Sequence, residues 1–422
     1  MRTRVTLALA LVSSLLIAGQ AFATGGQETK GGPKVQEITF WGPFSGPDGD
    51  LIQKLIERFN KEKPEVKTTF TVVPWDQYYD KLSINVAAGT VPEVSIMHGH
   101  YLAGYAAQDV LMALDDAVKR LGFNADDYIP ALWSAGVYNG VRYGIPLDTF
   151  PRFMWYNKRL LREAGLNAEL SKTEPVKGED LLAMAQKLTK GDQWGFVVPP
   201  SGNGVHRTWL SILWQNGGDV LTPDNKKAAV NSPAGVQAIQ VMMDLVTKYK
   251  TQPAGAVNIQ QMLNQSKIAM ASDQITELAS HLNIAGLELG SAPFPLIGKT
   301  KATFAVGHNF VIPKPKKVDQ GKVNATLTFV KWISDNSFDY AKVGQVPANL
   351  KVIKSDQFKS LEHQWIAAQQ WTWFKAPPGV VQMREISDKL LNADLSKAMA
   401  GQQSAAEAMK NLETAINKLM AP

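Results

Sequence analysis

The alternation of strand-like and helix-like stretches between residues 37 and 97 constrains the fold of this 422-residue chain most strongly. Three apolar stretches have the composition and flanking turn signals of strands: residues 37–41, 67–73 and 94–97. Apolar residues at helical spacing occupy residues 51–59, and Pro64 ends that helix. Asp76 is a candidate N-cap of a second helix, which Gly89 closes. This order predicts a parallel sheet that helices cover.

The same alternation continues later in the chain and predicts an α/β fold. Strand-like stretches follow at residues 153–156, 195–198 and 267–271, with helical stretches between them. Near the C-terminus, Ser404 and Glu407 form a capping box, and the apolar stripe behind them predicts a helix with one buried face. The chain is long enough for two domains of ordinary size, so we expect two lobes.

The first 23 residues have the three parts of a secretory signal. Arg2 and Arg4 give a positive start, and an apolar run occupies residues 5–18. Residues 21–23 read Ala-Phe-Ala, which fits the small-x-small pattern of a cleavage site. The apolar run is too short for a transmembrane helix, so we expect export with cleavage of the signal.

The residue before the cleavage motif indicates whether a lipid anchors the exported protein. Gln20 occupies the position where a lipoprotein signal needs a cysteine to carry its lipid. We therefore expect a cleaved signal peptide at residues 1–23 and a flexible tether at residues 24–34. The expected location is the periplasm or another extracytoplasmic compartment, with the mature protein in solution.

Composition excludes several classes of function. The chain has no cysteine, so disulfides, thiol nucleophiles and cysteine metal sites are all excluded. Its 45% hydrophobic and 19% charged residues are typical of a globular protein with a large core. The net charge of +6 is mild, and the basic clusters at residues 226–227 and 314–317 lack interleaved aromatic residues. We therefore expect no nucleic-acid partner.

Sequence motifs for catalysis are absent. The chain has no H-E-x-x-H motif, no G-x-S-x-G motif and no dinucleotide-binding fingerprint after a strand. His98 and His100 would share one face of a strand, but a metal site needs a third ligand that the sequence does not identify. We expect no catalytic residue, no metal and no cofactor, although a glycoside hydrolase with two carboxylates stays open.

An ordered set of short motifs resembles the extracellular solute-binding proteins (family 1) that serve bacterial ABC sugar importers, the maltose-binding-protein-like family. The motifs cover nearly the whole chain beyond the signal: ITFW at 38–41, LIERFN at 55–60 with Pro64, KL at 81–82, AAGTVPEV at 87–94, NGVRYGIP at 139–146, WYNK at 155–158, EAGL at 163–166, QNGG at 215–218, KIAM at 267–270 and the segment 401–408.

This resemblance implies a two-lobed α/β fold of the class II periplasmic-binding-protein type. On that pattern, lobe 1 comprises residues 35–152 and 295–340, and lobe 2 comprises residues 153–294 and 341–422. Hinge crossings join the lobes, and the ligand cleft lies between them. It further implies that the protein is a monomer that captures a mono- or oligosaccharide by hinge closure and delivers it to a membrane permease without catalysis.

A sugar site needs hydrogen-bonding side chains for hydroxyl groups and flat rings for C–H faces. In open α/β sheets such sites form at the carboxyl ends of strands. By motif position, the earlier candidates are Trp41, Ser45, Asp48, Trp75, Asp76, His98, His100, Asp148 and Arg152. The later candidates are Trp209, Trp214, Asn216, Asp273, Gln274, His308, Asn309, Trp371, Trp373 and Arg384. Because a lone tryptophan is more often a core residue, Trp332 is expected in the core, and a core position also stays open for Trp214 and Trp155.

Two other classes of function stay open at this point. One is a binder of a polyol, a glycerophosphoryl compound or another anion, such as a phosphodiester or an oligopeptide. Arg152, Arg207, Arg384 and His206 would suit an anion, because guanidinium groups bind phosphate and carboxylate bidentately. An exported glycoside hydrolase would instead show turnover that depends on one carboxylate. Strong salt dependence of the affinity would distinguish an anion from a neutral sugar.

Overall fold

The computed structural model describes residues 35–421. The expected signal peptide at residues 1–23 and the expected tether at residues 24–34 lie outside the described residues. Within the described range, no helix is both long enough and apolar enough to cross a bilayer.

The strands of residues 35–421 form two larger sheets and three two-stranded pairs. In chain order, the strands are β1 (Gln36–Gly42), β2 (Val66–Val72), β3 (Val94–His98), β4 (Val137–Tyr138), β5 (Val141–Arg142), β6 (Gly144–Pro146), β7 (Asp148–Thr149), β8 (Arg152–Asn157), β9 (Trp194–Val197), β10 (Ile268–Gln274), β11 (Leu289–Pro293), β12 (Thr303–Phe304), β13 (His308–Val311), β14 (Val346–Pro347) and β15 (Phe374–Lys375).

Helices connect and cover these strands. They are α1 (Gly46–Glu62), α2 (Trp75–Ala88), α3 (Leu102–Ala106), α4 (Asp115–Arg120), α5 (Pro130–Ser134), α6 (Lys158–Glu163), α7 (Gly178–Leu188), α8 (Gly202–Gln215), α9 (Pro233–Thr247), α10 (Ile259–Asn264), α11 (Leu278–His281), α12 (Gln320–Asp335), α13 (Phe338–Ala341), α14 (Leu350–Ile353), α15 (Asp356–Lys359), α16 (Glu362–Ala368), α17 (Met383–Glu385), α18 (Asn392–Met399) and α19 (Ala405–Met420). A π-helical turn, Ile386–Leu391, joins α17 to α18.

The larger sheet has the strand order β2-β1-β3-β13-β6. Strands β1, β2 and β3 are parallel, and β13 is antiparallel to both of its neighbours. Phe40 of β1 packs against Phe329 of α12, and Phe329 contacts Phe59 of α1. The predicted parallel arrangement at the start of the chain is therefore confirmed, with α1 and α12 covering one face of this sheet.

Local signals explain where the first two helices end. Helix α1 ends at Glu62, before Pro64, as expected for a residue that cannot continue a helix. Gly89 closes α2 with φ of 74°, a left-handed conformation that favours glycine. The expected N-cap role of Asp76 is wrong, because α2 begins at Trp75 and its N-cap is Pro74. Asp76 instead lies in the first turn, where its charge favours the helix dipole.

The smaller sheet has the strand order β11-β8-β10-β9. Strand β8 is antiparallel to β10 and β11, whereas β9 is parallel to β10. Every residue of β8 is buried, and so is every residue of β10 except Gln274 at its end. This burial explains the continuous apolar character of both central strands, because neither face of the sheet meets water.

The last helix follows the sequence signals closely. Ser404 and Glu407 form the capping box that begins α19, and Met409, Leu412 and Ile416 are buried behind it. The predicted cap and apolar stripe are therefore confirmed. Trp332 is also buried, as expected, and its indole N–H donates to Glu62.

The chain passes between the two larger sheets through three connections within the described residues. It leaves β6 for β8 through residues 147–151 and returns from β11 to β13 through residues 294–307. Residues 336–361 then lead from α12, which packs on β1, to α16, which packs on β11. Strands β7 and β14 pair, so the first and third connections lie side by side. The lobe boundaries themselves stay a prediction.

Candidate functional site

A cavity of about 510 Å³ lies between the two larger sheets, at the carboxyl ends of their parallel strands. Phe44 follows β1, Trp75 follows β2, and His98 ends β3. His308 begins the antiparallel strand β13 and is the register partner of His98, so it reaches the same edge. From the smaller sheet, Gln274 ends β10. The strand order thus places residues that are distant in sequence around one space.

A second, polar cavity of about 260 Å³ adjoins the first. The two share Asn203, Arg207, Gln274 and Glu277, so they form one continuous cleft. A third cavity, of about 450 Å³, lies among α7, α8 and α9 and is lined mainly by apolar side chains. Because that cavity offers few hydrogen-bonding groups, the polar cleft is the candidate site.

Aromatic rings form the wall of the cleft on the larger sheet. Trp75 is 41% exposed, which is unusual for such a large side chain. Its ring centroid lies 4.7 Å from that of His98 and 5.5 Å from that of His308, and the rings of Trp75 and His308 are stacked. Phe44 and Phe150 pack against His308 from other sides. The indole therefore presents a flat apolar surface supported by other rings.

The two histidines of this wall have different partners behind them. His98 Nδ1 lies 2.6 Å from the Tyr79 hydroxyl, which also accepts the His98 backbone N–H at 3.0 Å. His308 Nδ1 lies 2.9 Å from the carboxylate of Asp148, which also accepts the His308 backbone N–H. Burial lowers the pKa of His98 well below its usual range. Each ring therefore has a fixed orientation before any ligand arrives.

Arginine side chains reach the cleft from α8 and α17. Arg207 is 9% exposed, and its guanidinium donates to the neutral amide oxygen of Gln274 at 2.6 Å. Its Nε has no hydrogen-bond partner among residues 35–421. Burial lowers the pKa of Arg207. Arg384 is exposed and lies over the ring of Tyr79, 4.8 Å from its centroid. Both guanidinium groups can therefore donate to a ligand.

Three carboxyl groups line the same cleft. Burial raises the pKa of Glu277 to about 7, and it also raises the pKa of Asp48 and of Asp388. The carboxylate of Asp48 accepts from Gln345 at 2.9 Å. The Tyr101 hydroxyl donates to Asp388 at 2.5 Å. These carboxyls have uncharged hydrogen-bond partners, so they keep acceptor capacity for a ligand.

A buried ion pair lies behind the smaller cavity. Arg152 Nη1 is 3.2 Å from the Asp273 carboxylate, and both side chains are almost fully buried. Arg152 also donates to the backbone oxygen and the hydroxyl of Ser272, and Gln260 donates to Asp273. Burial lowers the pKa of Arg152 to about 10 and raises that of Asp273. The pair supports this wall because removing either partner would leave a buried charge unpaired.

The structure brings part of the sequence-predicted set together around the cleft. These residues line it: Asp48, Trp75, His98, Arg152, Asp273, Gln274, His308 and Arg384. Asp148 is fully buried behind His308 and does not reach the cleft. His100 and Asn309 are also buried behind its wall, each with one polar atom unpartnered in the described part of the chain.

The remaining predicted residues lie elsewhere. Trp209 and Trp214 are buried core residues, and their indole N–H groups donate to Gly235 and Asp219 within the same region. The other six are at the surface or partly buried, and none of them lines either cavity: Trp41, Ser45, Asp76, Asn216, Trp371 and Trp373. Asn216 is the C-cap of α8, and Lys354 and Lys301 lie over the rings of Trp371 and Trp373, respectively.

Several cleft residues were not selected from the sequence: Phe44, Tyr79, Tyr101, Phe150, Asn203, Glu277, Gln345 and Asp388. Arg207 was considered only for an anionic ligand. Helical spacing would have found some of them, because residues four apart share a helix face. Tyr79 follows Trp75 at that spacing on α2, and Asp388 follows Arg384. No such helical spacing links Gln345 to a residue that was selected from the sequence.

Among the described residues, no group of three or more His, Cys, Asp or Glu side chains is arranged to hold a metal ion. What the cleft offers is a flat ring together with hydrogen-bond donors and acceptors on two facing walls. That combination can hold a polar ligand in one orientation.

Comparison with known proteins places the chain among binding proteins. The family model described as bacterial extracellular solute-binding protein matches residues 45–337. A binding protein of Brucella abortus is 26% identical over 266 residues, which cover 59% of this chain and 62% of that relative. A maltooligosaccharide ABC transporter solute-binding lipoprotein of Streptococcus pneumoniae is 26% identical over 420 residues, covering 97% of this chain and 94% of the relative.

Solved structures share the fold. An ABC transporter solute-binding protein from Thermotoga lettingae, bound with α-D-tagatose, has a TM-score of 0.77 and 25% sequence identity. The match covers 92% of this chain and 100% of that one. The expected two-lobed α/β fold is therefore confirmed.

Proposed function

The chain belongs to the family of bacterial extracellular solute-binding proteins, and on that basis we propose that it is the carbohydrate-binding component of an ABC importer. It captures a mono- or oligosaccharide outside the cytoplasm and hands it to a membrane permease. Relatives named for binding maltooligosaccharides, and a similar structure bound with tagatose, support a carbohydrate ligand.

The observation that carries this proposal is the chemistry of the cleft between the two sheets. Trp75 offers a half-exposed indole face, which suits the C–H surface of a sugar ring. Around it, His98 and His308 have their Nδ1 atoms paired within the protein and turn the other side of each ring to the cavity. Arg207 and Glu277 add a donor and an acceptor from the opposite wall. A ligand with many hydroxyl groups satisfies all of these groups.

Binding is coupled to closure of the cleft in this proposal. Tyr101 follows β3 of the larger sheet, and Asp388 precedes α18, which packs on α8 beside the smaller sheet. Their hydrogen bond therefore crosses the cleft. A ligand that contacts both walls favours the form in which they meet, because only that form makes both sets of contacts.

The protein acts outside the cytoplasm and together with a membrane permease in this proposal. Residues 1–23 direct export, and the mature protein acts in the periplasm or another extracytoplasmic space as a monomer. The permease partner is proposed from family membership. In this proposal the cleft binds the ligand without catalysis, so the ligand passes to the permease chemically unaltered.

A second candidate ligand is an anion, such as a glycerophosphoryl compound. The observation that favours it is Arg207, a buried guanidinium whose direct partner is a neutral amide. A buried cation without a directly bonded counter-charge is costly, and a phosphate or carboxylate would offset that cost. Three carboxyls around the same cleft work against this candidate, because they would repel an anion.

Isothermal titration against mono- and disaccharides, polyols and glycerophosphocholine tests both candidates. We expect saturable binding of at least one carbohydrate and recovery of that carbohydrate intact after incubation. Binding of glycerophosphocholine alone would favour the anion. If none of the compounds gives a heat of binding, the proposal is without support. Recovery of a cleaved sugar would indicate a glycoside hydrolase instead.

A further inference from the structure

Two histidines lie next to Trp75 in the aromatic wall of the cleft. His98 and His308 are register partners on β3 and β13, and their ring centroids are 5.0 Å apart. The indole of Trp75 covers both rings. Each ring has its Nδ1 bonded within the protein. Neither Nε2 has a hydrogen-bond partner among residues 35–421, neither is fully buried, and both rings line the cavity. The two Nε2 atoms are thus open to the cavity.

The partner of His308 fixes where that ring carries its proton. Asp148 is fully buried and accepts the His308 backbone N–H at 2.9 Å and the Tyr340 hydroxyl at 2.8 Å. Its carboxylate is also 2.9 Å from His308 Nδ1. A carboxylate is an acceptor only, so Nδ1 carries the hydrogen and donates it. In the neutral ring, Nε2 is then a hydrogen-bond acceptor.

The partner of His98 fixes the opposite arrangement. The Tyr79 hydroxyl accepts the His98 backbone N–H at 3.0 Å and lies 2.6 Å from His98 Nδ1. The one proton of this hydroxyl has His98 Nδ1 as its acceptor among the described residues. Nδ1 therefore accepts, and Nε2 carries the hydrogen. The low pKa of His98 keeps this ring neutral.

We infer that His98 and His308 act as a matched donor–acceptor pair that recognises an alcohol hydroxyl of the ligand, with Tyr79 and Asp148 as positioning residues that set the two tautomers. A hydroxyl can accept from His98 Nε2–H and donate to His308 Nε2, either as one group or as two neighbouring groups. An ionised carboxylate or phosphodiester has no proton for His308, and an ammonium group has no lone pair for His98. The inference rests on the proposed function for its ligand class.

The tautomers can be measured without any ligand. Long-range ¹H–¹⁵N spectra of the protein labelled with ¹⁵N-histidine, assigned through His98→Gln and His308→Gln, report which nitrogen of each ring is protonated. We expect the hydrogen on Nε2 in His98 and on Nδ1 in His308. The same tautomer in both rings, or a doubly protonated ring at neutral pH, would overturn the inference even if a sugar binds.

Variants of the positioning residues extend this test. Tyr79→Phe removes the proton donor to His98, so we expect its nitrogen shifts to become an average of two tautomers while those of His308 stay unchanged. Asp148→Asn should change only His308. Tyr105→Phe is the matched control, because its hydroxyl bonds to Ser83 and to the Tyr79 backbone oxygen and to neither histidine. Unchanged His98 shifts in Tyr79→Phe would contradict the assignment.

Binding provides the second readout, with D-xylose, D-glucose and maltose as probes beside glycerophosphocholine. For any sugar that binds, we expect Tyr79→Phe to weaken the affinity about three- to tenfold, as loss of one well-placed hydrogen bond does. Tyr105→Phe should bind as the natural protein does. Equal affinity in both variants would overturn the role of the pair. If no sugar binds, the proposed function fails, and so does the inference that the histidine pair recognises a sugar hydroxyl. The spectra still decide independently which tautomer each histidine adopts.

Discussion

The two walls of the cleft differ in charge and in how firmly their groups are held. On the larger sheet, Trp75, His98 and His308 are rings that pack on one another, and both histidines are bonded to residues behind them. On the smaller sheet, Arg207 and Glu277 are ionisable groups with uncharged hydrogen-bond partners. The rings of one wall are therefore fixed in orientation by hydrogen bonds behind them, and the other wall holds ionisable groups that a ligand can satisfy.

The two walls can make different contributions to ligand binding. A wall whose rotamers and tautomers are already set loses little entropy when a ligand binds, so it suits selection of one ligand geometry. Partly buried charges form stronger hydrogen bonds, but their strength depends on protonation and solvent. We therefore expect specificity to depend on the aromatic wall, and dependence on pH to come from the charged wall.

The largest effect is expected from breaking the ion pair that supports the charged wall. Asp273→Ala leaves the buried guanidinium of Arg152 without its carboxylate, so we expect the free energy of unfolding to fall by about 3–5 kcal/mol. Urea unfolding measures this. Glu163→Ala, which breaks a largely exposed pair with Arg159, is the control and should change stability by less than about 1 kcal/mol. Equal losses in the two variants would mean that the wall is not supported in this way.

The next effect concerns the pH dependence of stability. The pKa of Glu277 is raised by burial from 4.5 to about 7. Between those values the unfolded state releases the proton while the folded state keeps it, so stability falls as pH rises. Above pH 7 the loss is complete, and we expect it to reach about 2–3 kcal/mol.

Glu277→Gln removes that penalty, since the amide does not titrate. Its advantage in free energy of unfolding over the natural protein should therefore grow between about pH 4.5 and pH 7 and then level off. Urea unfolding at four pH values in this range measures it. Glu57→Gln, at an exposed position on α1, is the control. A constant difference for Glu277→Gln across the range would show that this carboxyl is not buried as described.

A smaller effect is expected at the aromatic wall. Trp75→Ala removes the indole platform, so we expect sugar affinity to fall by about 1.5–2 kcal/mol, or more than tenfold. The melting temperature should change little, because Trp75 is 41% exposed. Trp194→Ala, on an edge strand away from the cleft, should leave the affinity unchanged. A large loss of stability in Trp75→Ala without loss of affinity would reassign this ring to the core.

The smallest effect is expected from salt. If the ligand is neutral, the affinity should change by less than about twofold between roughly 0.05 and 0.5 M sodium chloride, because no net charge is screened. Titration calorimetry at both concentrations measures this. A fall in affinity of tenfold or more would favour an anion held by Arg207. Specificity would then depend on the charged wall and not on the aromatic wall.

Local patterns were enough to predict much of the fold. Spacing and turn signals located β1, α1 and α19, because each of these elements buries one periodic face. The cap of α2 was misplaced, since Asp76 and Pro74 are both plausible at a helix start and only the backbone decides between them. Element boundaries depend on contacts that a sequence pattern does not contain.

The site was harder to predict, for a physical reason. His98, Gln274 and His308 were predicted from their positions at strand ends, where polar groups need partners, and all three line the cleft. Trp209 and Trp214 were selected by residue type, yet type alone does not distinguish a platform from a core residue. The partners that orient the histidines come from distant segments, and their pairing follows from strand order rather than from local sequence.

Native mass spectrometry after incubation with a mixed mono- and oligosaccharide library tests the central claim most directly. If a carbohydrate occupies the cleft between the sheets, the natural protein should gain one discrete mass that fragments into sugar units, and Trp75→Ala should lose that increment. No increment in the natural protein, or the same increment in both proteins, would contradict the account.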